Sequence, residues 1–420
     1  MEIKDLLMGR PDCACGMSHG CPIASVVIEE NACESLPDLT VGYEHILVVA
    51  DRNTYAVGGA AVSGQLGVRA ADTLIYQTDG VLVPDETALA LLRSHLTPQT
   101  DLILGIGSGV INDLCKQVSF EAGLPYYIVA TAPSMDGYAS VGAALILDGM
   151  KVTRTAAVPK AIIADVGILR NAPMEMIQAG YGDIIGKYSC LNDWKLSHVV
   201  TGEYLCEFVW NATMEAVEKT VRLADGLTRR EPQAVRALME ALVAVGILMA
   251  YVGNSRPASG SEHHMAHFFE IVGLVRGEEY FPHGVDVCYS AVETARLRER
   301  LLNIRDIQTF RYHFNRALYE RNIRRIYGSV AEEVLQLQDR HGWYQTDRVA
   351  VYRERWPEIC QVLSEAPSPA GMQALVERIG LSYRHFREFY GDRKINAGLA
   401  YAKDLKDRYT VLWMYDDLFR

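Results

Sequence analysis

The stretch ASGSEHHMAHFFE, residues 258–270, places three histidines within five positions. Imidazole ligates divalent ions and titrates near neutral pH, so such a cluster suits metal binding or proton transfer. Pro257 cannot continue a preceding helix, and Ser259 followed three residues later by Glu262 is a capping-box pattern. A helix is therefore expected to start at Ser259. On that helix His263, His267 and Glu270 share a face, at i, i+4 and i+7. His264 lies about 100° round, on the side of Phe268 and Ile271, and reads as packing or surface. A lone histidine on an apolar face is more often a core residue than a ligand; two on one face favour function modestly.

Two other segments carry groups that could join them. In GYGDIIGKYSCLNDWKL, residues 180–196, Asp183 and Lys187 are four apart and so share a helix face. On a surface such a pair contributes only about 0.3–0.5 kcal/mol. Here Ile184, Ile185, Tyr188 and Leu191 surround it, and a buried charge requires a partner or a metal ion. PHGVD places His283 just before another apolar segment. One Asp and two His from separate elements, Asp183, His263 and His283, could form a facial donor set for a catalytic divalent ion with an open position, but spacing alone does not show that they converge.

A second group of motifs suits a nucleotide. GIGSGVIND, residues 105–113, leaves a strand-like run and enters an amphipathic helix, so its N–H groups and the helix N-terminus can hold a pyrophosphate. Gly107, Ser108, Gly109, Asn112 and Asp113 are the candidate contacts, although the glycine spacing is not G-x-G-x-x-G and an ordinary tight turn reads equally well. Asp51 ends an earlier strand, where an acid accepts hydrogen bonds from a ribose diol and repels a 2′-phosphate; NAD(H) is therefore favoured over NADP(H). The alternative is a strand-end Asp that begins a turn. TAPSMDGYAS, residues 131–140, leaves another strand. Thr131, Ser134 and Ser140 are assigned to the cofactor and Asp136 to catalysis, with plain turn chemistry as the alternative. Lastly, CACGMSHGC holds Cys13, Cys15, His19 and Cys21, zinc-type ligands at a spacing that matches no standard finger or ribbon. It is either a structural metal site or a set of reduced cysteines in an N-terminal arm.

These groups must be positioned by two kinds of structure. Residues 45–54, 72–77, 101–109, 125–134, AALILD (143–148) and 161–169 read as strands alternating with helices, which predicts a mostly parallel, doubly wound α/β sheet. From residue 171 the apolar spacing becomes helical with few strand signals. An α/β domain over 1–170 and an all-helical domain over 171–420 are expected.

The bulk properties agree with a globular enzyme. A chain of 420 residues can bury two substantial cores, and 49% hydrophobic with 22% charged residues is not a disordered composition. A net charge of −11 argues against nucleic-acid binding and requires a locally basic pocket for any anionic substrate. The start, MEIKDLLMGRPDC, does not resemble a signal peptide, and the longest apolar segment, 243–252, reads as too short to span a bilayer. Nine scattered cysteines suit a reducing cytoplasm, so a cytoplasmic protein with no membrane partner is expected.

Taken together, GSGVINDLCK, TAPSMDGYAS, GDIIGKYSCLNDWKLS and SRPASGSEHHMAHFFE resemble the bacterial type of sn-glycerol-1-phosphate dehydrogenase family, within the iron-containing alcohol dehydrogenase and dehydroquinate synthase-like superfamily. DWKL and SRPASGSEH set it apart from glycerol dehydrogenase and dehydroquinate synthase. The resemblance implies a Rossmann-like dinucleotide-binding domain over 1–170, a helical metal- and substrate-binding domain over 171–420, and NAD(P)H-linked reduction of dihydroxyacetone phosphate to sn-glycerol 1-phosphate. It further implies one divalent metal, Zn2+ or Ni2+, on Asp183, His263 and His283. His267 would then face substrate as the proton donor, and Lys187 and Arg256 are the cations nearest in sequence for the substrate phosphate. A homo-oligomer, a dimer, is expected. A glycerol or polyol dehydrogenase and a non-catalytic metal- or nucleotide-binding regulator are the alternatives.

Overall fold

The apolar runs of the first half become one parallel sheet because each can be covered on both faces. The strands are β1 (Ser25–Glu29), β2 (Ile46–Asp51), β3 (Ala70–Tyr76), β4 (Leu102–Gly107), β5 (Tyr126–Ala130), β6 (Gly142–Leu147), β7 (Met150–Thr155) and β8 (Ala161–Asp165). Six of them pair in the order β1-β8-β5-β4-β2-β3, all parallel, and β6 with β7 makes a separate antiparallel hairpin. All residues of β4, β5 and β8 are buried, as parallel strands between helical layers must be. The computed structural model describes residues 2–78, 80–147 and 150–420, so Asp148 of the AALILD run lies outside the described residues. Strands β1 and β7 had no counterpart in the sequence reading.

The chain divides into two compact units, residues 1–180 with 218–254 and residues 181–217 with 255–420. The expected division at 170/171 differs from this by residues 171–180 and 218–254, which belong to the sheet-bearing unit. The segment 218–254 contains the helix Pro232–Val252, which packs against the short turn Asp136–Ala139 and β1. The expectation of an apolar segment confined to 243–252 is corrected here. The helix is 21 residues long, and by length and composition it could cross a membrane, but 78% of its most apolar window is buried.

Within the sheet-bearing unit the strand order reverses direction between β2 and β4, the point where an open α/β sheet leaves a crevice at its carboxyl edge. Asp51 ends β2, Gly107 ends β4, and the Thr131 N–H after β5 donates to Gly107 O at 3.0 Å. The helix Gly109–Ala122 follows β4 after the single residue Ser108. This tight entry depends on Gly107, because a Cβ there would lie 2.6 Å from Ile111 Cβ.

The second unit is helical throughout its described residues. Its centre is built from the Tyr181–Thr201 part of the helix Met174–Thr201, the helix Ser261–Arg276 and the helix His283–Leu302. Gly182 and Gly186, one turn apart, make the first of these approachable. A Cβ on Gly182 would collide with the carbonyl oxygen of Gly284, and one on Gly186 would come 2.5 Å from Val287 Cγ1. The GDIIGK motif is thus a groove for the start of the helix that carries His283.

Replacing Gly107 with Ala is expected to destabilise the sheet-bearing unit by about 1–3 kcal/mol, the scale of overpacking a filled core. Urea denaturation of Gly107→Ala against the unaltered chain measures it.

Candidate active site

Three helices of the second unit bring Asp183, His263, His267 and His283 together. His263 Nε2 lies 3.3 Å from Asp183 Oδ1. The ring centroids of His263 and His283 are 5.2 Å apart, those of His267 and His283 5.0 Å, and those of His263 and His267 6.4 Å. His267, Glu270 and His283 each offer a ligand atom within 4.8 Å of the others. The i, i+4, i+7 face of the sequence reading is therefore real. It also supplies Glu270, previously only a neighbour on that face, as a further carboxylate.

His264 points elsewhere. It is fully buried, and neither ring nitrogen has a hydrogen-bond partner among the described residues. Burial, helped by the cations of Arg408 and Lys406, pushes its pKa well below the usual imidazole range, so the ring is neutral.

Charges around Asp183 are tightly organised. Lys187 Nζ is 2.7 Å from Asp183 Oδ1 and donates to Ala258 O at 3.0 Å, with both ionic side chains almost wholly buried. Burial alone would raise the Asp183 pKa, but the Lys187 ammonium and His263 outweigh it and hold the carboxyl well below the usual range. His263 presents Nδ1 to Glu262 Oε1 at 2.7 Å, which turns Nε2 toward Asp183. Burial and Lys187 depress the His263 pKa, while hydrogen bonds to Asp183 and Glu262 more than compensate and leave it raised.

The start of the histidine helix differs from expectation by one residue. Gly260, not Ser259, is the N-cap of Ser261–Arg276, and Glu262 reaches back to accept the Gly260 N–H at 3.0 Å. The displacement has a cause that lies far away in sequence. Asp193 accepts the Ser261 N–H at 2.7 Å, the Val411 N–H at 3.0 Å and Arg298 Nη2 at 2.9 Å. Asp193, Arg298 and Glu262 are all buried, and none had a tertiary role in the sequence reading. An acid inside the apolar DWKL context was the available signal.

Lys187 and Arg256, expected near a substrate phosphate, are each engaged with an acid of the chain. Arg256 is 2% exposed, forks onto Glu203 at 2.9 and 2.6 Å, and donates to Tyr409 O at 2.7 Å. Lys187 is spent on Asp183 and on Ala258 O. Lys187 neutralises the buried Asp183, Arg256 pairs with the partly exposed Glu203, and both satisfy backbone oxygens; turning Lys187 away would strand a buried carboxylate.

In the sheet-bearing unit the predicted cofactor residues divide into two kinds. Ser108 is the N-cap of its helix and makes no side-chain cap bond, with Gly107 and Gly109 on either side. Thr131 and Ser134 follow β5, and Asp136 begins the turn Asp136–Ala139. Other residues are committed to the scaffold. Asn112 is fully buried, accepts the Tyr126 hydroxyl at 2.7 Å and donates to Asp113 Oδ1 at 3.3 Å. Asp113 Oδ2 accepts the Ala144 N–H at 3.2 Å. Asp51 caps the helix Arg52–Leu66, its Oδ1 accepting from Asn53 N at 2.8 Å and Thr54 N at 2.9 Å.

Ser140 belongs to the scaffold group too, and it exposes a residue the sequence reading left without a role. Lys116 is wholly buried and donates to Gly137 O at 2.5 Å, Ser140 O at 2.8 Å, Ser140 Oγ at 3.1 Å and Gly142 O at 3.2 Å. It ties down the loop that carries Asp136. Burial pulls its pKa down to about 8, opposed by Asp113 and Asp136.

Comparison with other proteins identifies this architecture. A family model described as iron-containing alcohol dehydrogenase matches residues 27–173. A probable glycerol dehydrogenase from Sinorhizobium meliloti superposes with a TM-score of 0.55 at 18% identity, covering 89% of this chain and 97% of its own. An iron-containing alcohol dehydrogenase from Corynebacterium glutamicum gives 0.57 at 15% identity, covering 92% and 89%. The fold is that of the iron-containing alcohol dehydrogenases. Among relatives of known activity, the NAD(P)+-linked glycerol-1-phosphate dehydrogenase of Halalkalibacterium halodurans is 30% identical over 97% of this chain and 96% of its own. The enzyme of the same name from Geobacillus stearothermophilus is 34% identical over 68% and 72%. The chain belongs to the glycerol-1-phosphate dehydrogenase family, a family of NAD(P)-dependent oxidoreductases.

Two outcomes are expected. Lys187→Met leaves Asp183 buried without its ammonium and should destabilise the metal-free protein by about 3–5 kcal/mol. Added Zn2+ should then raise its melting temperature more than it raises that of the unaltered chain, because an ion replaces the lost cation; thermal scans with and without Zn2+ read both. For Lys116, the folded pKa of about 8 lies below the ordinary value of 10.5, so the unfolded chain binds more protons between them. Stability should therefore rise with pH across that window and be least favourable below pH 8. Denaturation midpoints across the window should show a positive contribution that Lys116→Met lacks.

Proposed function

We propose that the protein catalyses reversible reduction of dihydroxyacetone phosphate to sn-glycerol 1-phosphate, with NAD(H) favoured over NADP(H) and one divalent ion, Zn2+ or Ni2+. The observation that carries this reading is the gathering of Asp183, His263, His267 and His283 from three helices, in a chain similar along nearly its whole length to glycerol-1-phosphate dehydrogenases. The donor set fits such an ion. Two imidazoles and an ionised carboxylate suit Zn2+ or Ni2+, and the Glu262 contact at Nδ1 of His263 leaves Nε2 as the ligand nitrogen.

Asp183, His263 and His283 would hold the divalent ion, which would supply Lewis-acid polarisation of the C2 carbonyl, and a bound reduced nicotinamide would supply the hydride. Lys187 and Glu262 hold Asp183 and His263 in place. His267 gives a proton to the C2 oxygen, with Glu270 Oε2 at 3.7 Å from its Nδ1 to orient the ring. Asp136 hydrogen-bonds a substrate hydroxyl. Gly107, Ser108 and Gly109 receive the pyrophosphate, Thr131 and Ser134 line the nicotinamide side, and Asp51 Oδ2 is left for the ribose. The enzyme works as a cytoplasmic homodimer.

NADH oxidation with dihydroxyacetone phosphate should vanish after chelation and return with Zn2+ or Ni2+. Asp183→Asn and His263→Ala should each lower kcat/KM by about 10²-fold or more, the scale of losing a group that stabilises developing charge. His264→Ala should cost stability instead of kcat. Turnover untouched by chelation would sink the metal reading, and preference for glycerol over the phosphorylated substrate would place the chain with polyol dehydrogenases.

A further inference from the structure

The CACGMSHGC run is absorbed by none of this chemistry, yet the fold builds it with care. Arg10 and His19 pair as an antiparallel bridge, N–H to carbonyl at 2.7 and 3.0 Å, closing a loop that contains Cys13 and Cys15. The Gly16 N–H donates to Cys13 O at 2.9 Å, and Gly16 takes φ +83°, the left-handed turn that glycine permits. Within this loop the thiol sulfurs of Cys13 and Cys15 and a ring nitrogen of His19 lie within 4.8 Å of one another.

His19 is oriented as a ligand. It is 2% exposed and stacks on Tyr251, ring centroids 5.2 Å apart and planes 1° from parallel. Its Nδ1–H donates to Tyr251 O at 2.8 Å, which fixes the tautomer and leaves Nε2 with its lone pair facing Cys15 Sγ at 3.3 Å. A histidine held at one nitrogen by a backbone carbonyl and presenting the other is the usual outer support of a metal-bound imidazole. Across a tetrahedral zinc ion, sulfur and nitrogen ligands sit about 3.6 Å apart, so the Cys15–His19 spacing is close to a filled site. Cys21 turns away, its Sγ toward Ile23 O at 4.0 Å.

We propose that Cys13, Cys15 and His19 bind a second metal ion, a structural Zn2+, in the sheet-bearing unit. The ion closes the Cys13–His19 loop and holds His19 in place, and the His19–Tyr251 contact, with the Tyr251 hydroxyl donating to Leu6 O at 2.5 Å, fastens the arm to the helix Pro232–Val252. This site has thiolate ligands, whereas the donors around Asp183 are nitrogen and oxygen, so the two are spectroscopically separable and the proposal stands apart from the proposed reaction.

The test is reconstitution of the full-length protein with Co2+. A thiolate-to-cobalt charge-transfer band in the near ultraviolet is expected in the unaltered chain and in His263→Ala. In Cys13→Ser/Cys15→Ser the band should be lost, with bound zinc lower by one ion per chain. Should that variant fail to fold, His19→Cys provides the second measurement: a third thiolate should strengthen the band. Absence of any band in the unaltered chain, its persistence in the double variant, or no strengthening in His19→Cys overturns the site.

Discussion

A carboxylate inside a helical core must be neutralised, and much of the second unit follows from that one constraint at Asp183. Its partners come from two directions. Lys187 lies one turn along the same helix, and His263 reaches in from the next. A buried ionic pair of this kind contributes little net stability over apolar packing, but losing one partner leaves an uncompensated charge. Its value is in location: the negative charge is held where two further imidazoles, those of His267 and His283, converge. The glycines at 182 and 186 make the approach possible by letting the His283 helix rest against the backbone.

Residues with no part in the chemistry outnumber those with one. Asp193 and Arg298 form buried, and Glu203 and Arg256 part-buried, charge-assisted contacts whose common effect is to place residues 255–261, the entry to the histidine helix. Lys187 contributes to the same end through Ala258 O, and Arg408 through Ser259 O at 3.1 Å. Such backbone oxygens and N–H groups would be costly if buried alone. In the sheet-bearing unit Lys116 does the equivalent for the loop after β5, satisfying four oxygens with one ammonium. The motifs that mark the family are therefore largely motifs of placement.

The comparisons agree with this division. Structures at 18% identity or lower share the fold along most of the chain. Of the placing residues just described, Lys187 and Asp193 lie in GDIIGKYSCLNDWKLS, Arg256 in SRPASGSEHHMAHFFE and Lys116 in GSGVINDLCK, stretches that carried the resemblance to glycerol-1-phosphate dehydrogenases, whereas Glu203, Arg298 and Arg408 lie outside them.

Periodicity and local capping signals determined a good deal by themselves. The strands β2, β3, β4, β5 and β8 were legible as apolar runs with turn residues at their ends, and the helix phase separated His263 and His267 from His264. These are short-range properties, set by side-chain periods of 2 and 3.6 residues. Tertiary structure decided the rest. It moved the helix start from Ser259 to Gly260 through Asp193, some 68 positions away in sequence. It set Lys187 against the buried Asp183 and Arg256 against the partly exposed Glu203, put residues 218–254 with the sheet, and gathered three of the four N-terminal zinc-type ligands. The reason is common to all four. Which charge meets which, and which backbone group is satisfied by which side chain, depends on contacts between segments far apart in the chain, and no local pattern encodes them.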